Sequence, residues 1–256
     1  MAKLDIYQFP CLADNFGVLI HDAAAGVTAS IDAPDAGAVR AALAKTGWPL
    51  THILTTHHHS DHVDGNLELQ KETRSTIVGP KTESAKIPGI SVKVSGGDSY
   101  RLGGFEVKVL DTPGHTLGHI SYWLPEAKVV FVGDTLFALG CGRILEGDPE
   151  MMWTSLQRLA ALPPETSFYC GHEYTQANAR FCLTIEPGNP ALVARAAEID
   201  ALRAAGKPTL PSTIGAELAT NVFLRARSPE IRNRLAMPDA LDWAVFAEIR
   251  ARKNKG

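Results

Sequence analysis

Cysteine is scarce in this chain, with four among 256 residues. Cys11, Cys141, Cys170 and Cys182 form no CxxC pair and no dense framework, so a disulfide-stapled scaffold is not expected. They read instead as reduced, buried, small side chains of a cytoplasmic protein. An excess of one charge is missing too: the formal net charge is -3. Such a chain projects no global basic field, and nucleic acid is not an expected partner. No apolar run approaches the roughly 20 residues needed to cross a bilayer. The opening Met1-Ala2-Lys3-Leu4-Asp5-Ile6 lacks the apolar core of a secretion signal. Membrane attachment is therefore not expected. Sequence repeats, low-complexity tracts and coiled-coil heptads are absent, and a monomer with a small-molecule substrate is the expectation.

Apolar residues make up 45% of the chain, enough for an ordinary core, and the length allows one large domain or a domain with a smaller helical appendage. Residues 16–20, 27–31, 51–55, 105–110, 120–124 and 129–132 read as strands separated by Gly, Pro and Asp. Residues 35–45 read as a helix that Gly47 stops. Composition shifts after His172. Residues 191–205 are strongly helical, with Leu192, Ile199 and Leu202 able to share one face, and Pro208 and Pro211 follow. A final helix is predicted over 239–252. The expected boundary lies near residue 173, with mixed α/β structure in 1–172 and mainly helix in 173–256.

The densest chemistry is Thr56-His57-His58-His59-Ser60-Asp61-His62. Four candidate metal ligands, His57, His59, Asp61 and His62, fall within six residues directly after a predicted strand. In extended chain alternate residues share a face, so His57 and His59 can address one ion. A tightly turned continuation can present Asp61 and His62 to a second. Further donors follow at the ends of β-like runs beside glycine: His115 in Thr112-Pro113-Gly114-His115, Asp134 in Val132-Gly133-Asp134-Thr135, and His172 in Tyr169-Cys170-Gly171-His172. Glycine lets the backbone turn sharply there. Seven donors suit two ions with a bridging carboxylate, and imidazole with carboxylate suits zinc, iron and manganese. His21 and His52 read as ordinary histidines, His58 as a spacer. His119 reads either as a group orienting a ligand or as a structural residue.

These motifs, T-H-x-H-x-D-H, P-G-H-T-x-G-H, G-D-T and G-H-E-Y, resemble those of the metallo-β-lactamase superfamily. Within it the chain resembles the hydroxyacylglutathione hydrolase (glyoxalase II) family. Asp14-Asn15-Phe16, Gly140-Cys141-Gly142-Arg143, Pro211-Ser212-Thr213-Ile214-Gly215 and Thr220-Asn221-Val222-Phe223-Leu224-Arg225 carry the likeness across nearly the whole chain. The resemblance implies an α/β fold, the αββα sandwich, with a helical C-terminal domain. It implies two divalent ions, zinc foremost with iron or manganese as alternatives. His57, His59 and His115 would hold one ion and Asp61, His62 and His172 the other, with Asp134 shared. It implies hydrolysis of S-D-lactoylglutathione to glutathione and D-lactate, with Asp61 and Asp134 catalytic through the metal-bound hydroxide. Arg143, Tyr174, Arg250 and Lys253 would bind the glutathione part. Family members often carry aromatic residues after the G-C-G-[KR] stretch, one of which gives glutathione a tyrosine hydroxyl; here Ile144 and Leu145 stand in those places.

Three rival readings share the scaffold: a lactonase, a mono-iron persulfide dioxygenase and a metal-dependent binding protein without turnover. The C-terminal signature argues against the first. The long helical C-terminal segment argues against the second. The intact donor set argues against the third.

Overall fold

In a computed structural model that describes residues 3–255, the chain begins with an antiparallel hairpin of β1 (Leu4–Cys11) and β2 (Asn15–Asp22). Met1, Ala2 and Gly256, at the ends of the two segments expected from the sequence, lie outside the described residues. The backbone divides into two compact units. One takes the residues up to Asp111 together with Thr116–Gly133; the other takes Thr112–His115 and the chain from Asp134 onward.

In the first unit, β1, β2, β3 (Val27–Ile31), β4 (His52–Leu54), β5 (Thr76–Pro80) and β6 (Val92–Val94) lie side by side in that order. The first three pair antiparallel, and β3 to β6 pair parallel. Parallel neighbours need crossovers. The crossover from β3 to β4 carries α1 (Ala36–Thr46), and the one from β4 to β5 carries α2 (Ser60–Val63) and α3 (Asn66–Thr73). Every residue of β2 is buried, the mark of a strand covered on both faces.

Helix α1 starts where the Asp35 side chain accepts from the Ala38 N–H, and it stops at Gly47 in the left-handed region. Its Ala36, Val39 and Ala42 pack with Phe9, Leu19, Ile53, Leu69 and Ile77. Burying one such Leu, Ile or Phe side chain contributes about 1.5–3 kcal/mol. A second, antiparallel sheet of this unit runs through β7 (Ser99–Leu102), β8 (Phe105–Asp111), β9 (Ile120–Leu124) and β10 (Val129–Phe131). Buried Phe105, Val107 and Val109 alternate along β8 with less buried residues. Fully buried Tyr122 on β9 donates its hydroxyl to the Thr55 carbonyl at 2.7 Å, linking the two sheets.

In the second unit, β11 (Leu136–Phe137) and β12 (Gly140–Cys141) form a short hairpin. Helix α4 (Pro149–Ala160) follows, then β13 (Ser167–Tyr169), α5 (Thr175–Ile185) and α6 (Pro190–Ala204). Strand β14 (Ser212–Thr213) pairs antiparallel with β13 and leads into α7 (Ile214–Thr220), α8 (Pro229–Leu235) and α9 (Asp242–Lys255). Helix α4 is not among the elements expected from the sequence, and it begins with Pro149. At the first helical position it is a starter, and Asp148 caps the helix by accepting from the Met151 N–H. The final helix begins three residues later than predicted from sequence, at Asp242, and runs on to Lys255.

Candidate metal centre

The first unit contributes four of the seven donors. Beyond β4 the chain runs through Thr55, Thr56 and His57, all fully buried, to His59, which is extended with φ -64° and ψ 148°. Its nitrogens meet as the period-two reading requires: His57 Nε2 lies 3.1 Å from His59 Nδ1. The other ring nitrogen of His57, Nδ1, sits 3.0 Å from Thr56 Oγ1. Helix α2 then starts at Ser60 and brings His62 Nε2 to 3.7 Å from Asp61 Oδ2. His62 Nδ1 stands 2.8 Å from Asp32 Oδ2, so Nδ1 keeps the proton and donates it to the carboxylate, which leaves the Nε2 lone pair facing Asp61.

Three residues hold this arrangement in place. Asn15 donates to Asp61 Oδ2 at 3.1 Å and to its carbonyl at 3.2 Å. Asp32, only 4% exposed and at φ 55°, accepts from the Thr56 N–H at 2.7 Å and the Thr56 hydroxyl at 2.9 Å. Buried Glu83 accepts from the N–H groups of His58 and Gly118 and lies 2.8 Å from His58 Nδ1. His58 thus turns to Glu83 between two candidate ligands. His119 is fully buried with its ring 4.9 Å from that of His57. Gly133 is required at its place, because a Cβ there would lie 2.6 Å from His119 Nε2 and from Thr56 Oγ1. His21 stacks on Trp48, and His52 meets Thr51 and the Tyr100 ring edge.

The second unit contributes the other three donors. His115 Nδ1 lies 2.8 Å from the Arg143 carbonyl, which can only accept, so Nε2 carries the lone pair. Asp134 Oδ2 sits between two imidazoles, 3.5 Å from His115 Nε2 and 3.3 Å from His172 Nε2. Tyr174 lays its ring parallel to that of His172 at 4.8 Å.

The donor chemistry fits divalent ions. Five imidazoles and two carboxylates suit zinc, iron or manganese, and the outer nitrogens of His57, His62 and His115 each face an oxygen that fixes the inner one. All four cysteines are free and buried, and burial pushes Cys11 and Cys141 up to about 11, far from thiolate ligands.

The residues expected to bind substrate occupy contrasting surroundings. Arg143 is exposed and Tyr174 is 37% exposed. Arg250 is only 7% exposed: Nη1 donates to the Cys141 carbonyl at 3.0 Å and the guanidinium lies over the Phe223 ring. Its buried Nε has no partner among the described residues. Lys253 lies over Phe181 and donates to the Ala177 carbonyl; burial and then Arg250 lower its pKa. These two are not a solvated basic tail. Lys253 opens on a cleft of about 570 Å³ with Arg180, Arg252, Phe181 and Ile185.

Asp32 and Glu83 escaped the sequence reading. Asp32 did carry a signal, since it ends a predicted strand as the other stations do. Glu83 sits in a turn with no motif around it.

Comparison with known proteins extends the picture. The family described as metallo-beta-lactamase superfamily matches residues 22–172, and the one described as hydroxyacylglutathione hydrolase C-terminus matches residues 173–256. A hydroxyacylglutathione hydrolase of Brucella anthropi is 60% identical over 252 residues, covering 98% of this chain and 97% of that protein. Among solved structures, ETHE1 from Myxococcus xanthus is similar with a TM-score of 0.67 at 28% identity, over 98% of this chain and 99% of that one. TTHA1623, solved in a di-iron-bound form, has a TM-score of 0.62 at 25% identity, over 86% of this chain and all of that one. No helix among the described residues is long and apolar enough to cross a membrane.

Proposed function

Because the chain belongs to the metallo-beta-lactamase superfamily and, within it, to the hydroxyacylglutathione hydrolase family, we propose that it hydrolyses S-D-lactoylglutathione to glutathione and D-lactate, a step of methylglyoxal detoxification. The fold is the α/β metallo-β-lactamase sandwich with a helical C-terminal part. Residues 1–172 form the metal domain of this reading and 173–256 the substrate-binding domain. The protein is an enzyme that binds divalent metal, and the finer assignment is two ions, zinc foremost.

His57, His59 and His115 would hold one ion, and Asp61, His62 and His172 the other. Asp134 would serve both, and its position between His115 Nε2 and His172 Nε2 is the observation that carries the reading. When bound, two such ions lower the pKa of water toward neutrality and polarise a thioester carbonyl. The chain itself supplies orientation. Asp32 fixes the proton of His62 on Nδ1, the Arg143 carbonyl does the same for His115, and Asn15 fixes the Asp61 carboxylate. A thiol leaving group, with a pKa near 8.5 in free cysteine, departs as thiolate and needs no strong general acid. Arg143, Arg250 and Lys253 meet the carboxylates of the glutathione part, and Tyr174 adds a hydroxyl beside His172. A cytoplasmic monomer completes the reading.

The test is a steady-state assay on S-D-lactoylglutathione with metal analysis of the same sample. Turnover with about two ions per chain is expected. A metal-replete protein that leaves the thioester intact but opens lactones, or consumes oxygen with glutathione persulfide, defeats it.

A further inference from the structure

The C-terminal signature Thr220-Asn221-Val222-Phe223-Leu224-Arg225 has no part in the chemistry above, yet Asn221 is fully buried. Its amide donates to the carbonyls of Phe137 at 3.3 Å and Gly140 at 3.0 Å, and to Glu217 Oε2 at 3.0 Å. Those carbonyls belong to the β11–β12 hairpin. The same Glu217 oxygen accepts from the Leu139 N–H at 2.8 Å, at the hairpin tip, where Leu139 takes φ 56°. Asn178 on α5 donates to the Ala138 carbonyl at 3.1 Å, Cys182 donates to that of Leu139, and Arg250 to that of Cys141. Five side chains from α5, α7, its C-cap and α9 thus occupy backbone groups of every residue from Phe137 to Cys141. A four-residue ladder cannot hold such a turn alone, and buried backbone groups left unpaired are costly.

What the hairpin carries makes the cage consequential. Asp134 enters it, and Arg143, whose carbonyl fixes the His115 ring, leaves it. The Gly142 N–H donates to the Thr135 carbonyl, and Gly142 packs so closely that a Cβ there would lie 1.9 Å from the Asp134 carbonyl. Gly140 also passes close to Asn178, with 2.4 Å from a Cβ to Nδ2. A shift of the hairpin therefore moves the Asp134 backbone and the acceptor behind His115 together.

We propose that Asn178, Glu217 and Asn221 are positioning residues for the metal centre: they lock the hairpin that sets Asp134 and orients His115. The helical C-terminal part is then a support for the metal ligands as well as a surface for substrate. This rests on the assignment of Asp134 and His115 as ligands. Supporting groups of this kind are worth about 10- to 100-fold in metal affinity.

The experiment compares zinc affinity, by competition with a chromophoric chelator, in wild type, Asn178→Ala, Asn221→Ala and the control Ile199→Ala. Ile199 is buried on α6 and its side chain has no polar group in the hydrogen bonds above, so its truncation lowers the melting temperature while every bond to the hairpin keeps its donor and acceptor. The expected result is zinc binding about 10- to 100-fold weaker in both Asn variants and unchanged in Ile199→Ala. Asn178→Ala removes a single bond and keeps the test valid if Asn221→Ala does not fold. Asn variants that bind zinc as Ile199→Ala does, at similar loss of melting temperature, overturn the proposal. A wild-type protein that binds no zinc, iron or manganese overturns the ligand assignment itself.

Discussion

Asp134 Oδ2 stands 3.3 Å from His172 Nε2 and 3.5 Å from His115 Nε2, one carboxylate oxygen facing two imidazoles whose segments are far apart in sequence. A carboxylate in that position can serve two ions at once. Asp134→Ala is therefore expected to lose most of its metal and nearly all hydrolysis. Metal content and turnover measured on the same sample check this, and full occupancy with normal turnover would refute it.

Asp32 touches His62 and Thr56 but no proposed substrate group. Asn at this position keeps the shape and tolerates positive φ, but it lacks the charge that holds the His62 proton on Nδ1. Asp32→Asn is expected to weaken zinc binding about 10- to 100-fold while KM stays near that of wild type. A zinc titration and a kinetic split on the same variant decide it; an altered KM with intact metal affinity would be the wrong outcome.

The candidate donors were legible in the sequence because the T-H-x-H-x-D-H spacing couples directly to local backbone. Extended chain pairs His57 with His59, and one helical turn pairs Asp61 with His62. The strand from 27 to 31 and the helix stopped by Gly47 were legible for the same reason: their signals are local. Glu83 and Asn221 were not legible in role, although Asn221 lay in a recognised motif. Each works by accepting from or donating to backbone groups distant in sequence, 35 residues away for Gly118 and 81 for Gly140. No periodicity encodes such a partner. The burial of Arg250 was equally hidden, because Arg250, Arg252, Lys253 and Lys255 look alike in composition and only the packing of α9 separates them.

Burial raises all four thiols, Cys11 and Cys141 to about 11 and Cys182 to about 12. A folded-state pKa above the unfolded value near 9 stabilises the neutral thiol only in the folded protein. That contribution is intact below pH 9 and is lost as pH rises from 9 toward 11 and 12. Urea unfolding is expected to show stability falling across this window, with a shallower fall in Cys182→Ala. The same slope in that variant would exclude Cys182 as a contributor.

Lys253 and Arg250 are expected to differ although both face the same proposed ligand. Lys253 supplies a charge above Phe181, whereas Arg250 also holds the Cys141 carbonyl. A charge-assisted contact is worth roughly 1.5–3 kcal/mol, or about 10- to 150-fold. Lys253→Ala should raise KM by a factor in that range with kcat kept; Arg250→Ala should raise KM and also lower kcat through the hairpin. Steady-state kinetics on S-D-lactoylglutathione separate the two, and unchanged KM in both would remove them from substrate binding.

Leu145 stands where the family resemblance places an aromatic residue, and its side chain is 57% exposed. A leucine more than half exposed has little packing to lose, so a tyrosine at this position should disturb the fold only slightly. The hydroxyl would restore a donor to the glutathione part, and a typical hydrogen bond contributes about 0.5–1.5 kcal/mol net. Leu145→Tyr is thus expected to lower KM by about 2- to 12-fold, with kcat little changed because the proposed reaction takes place at the metal donors rather than at this loop. The neighbouring Ile144 is half-buried and is left in place, which keeps the loop's inward anchor. Kinetics and melting temperature are measured together. Tighter binding at unchanged melting temperature supports the loop's approach to glutathione, whereas weaker binding with a lowered melting temperature shows that the leucine packs against something the substrate does not replace.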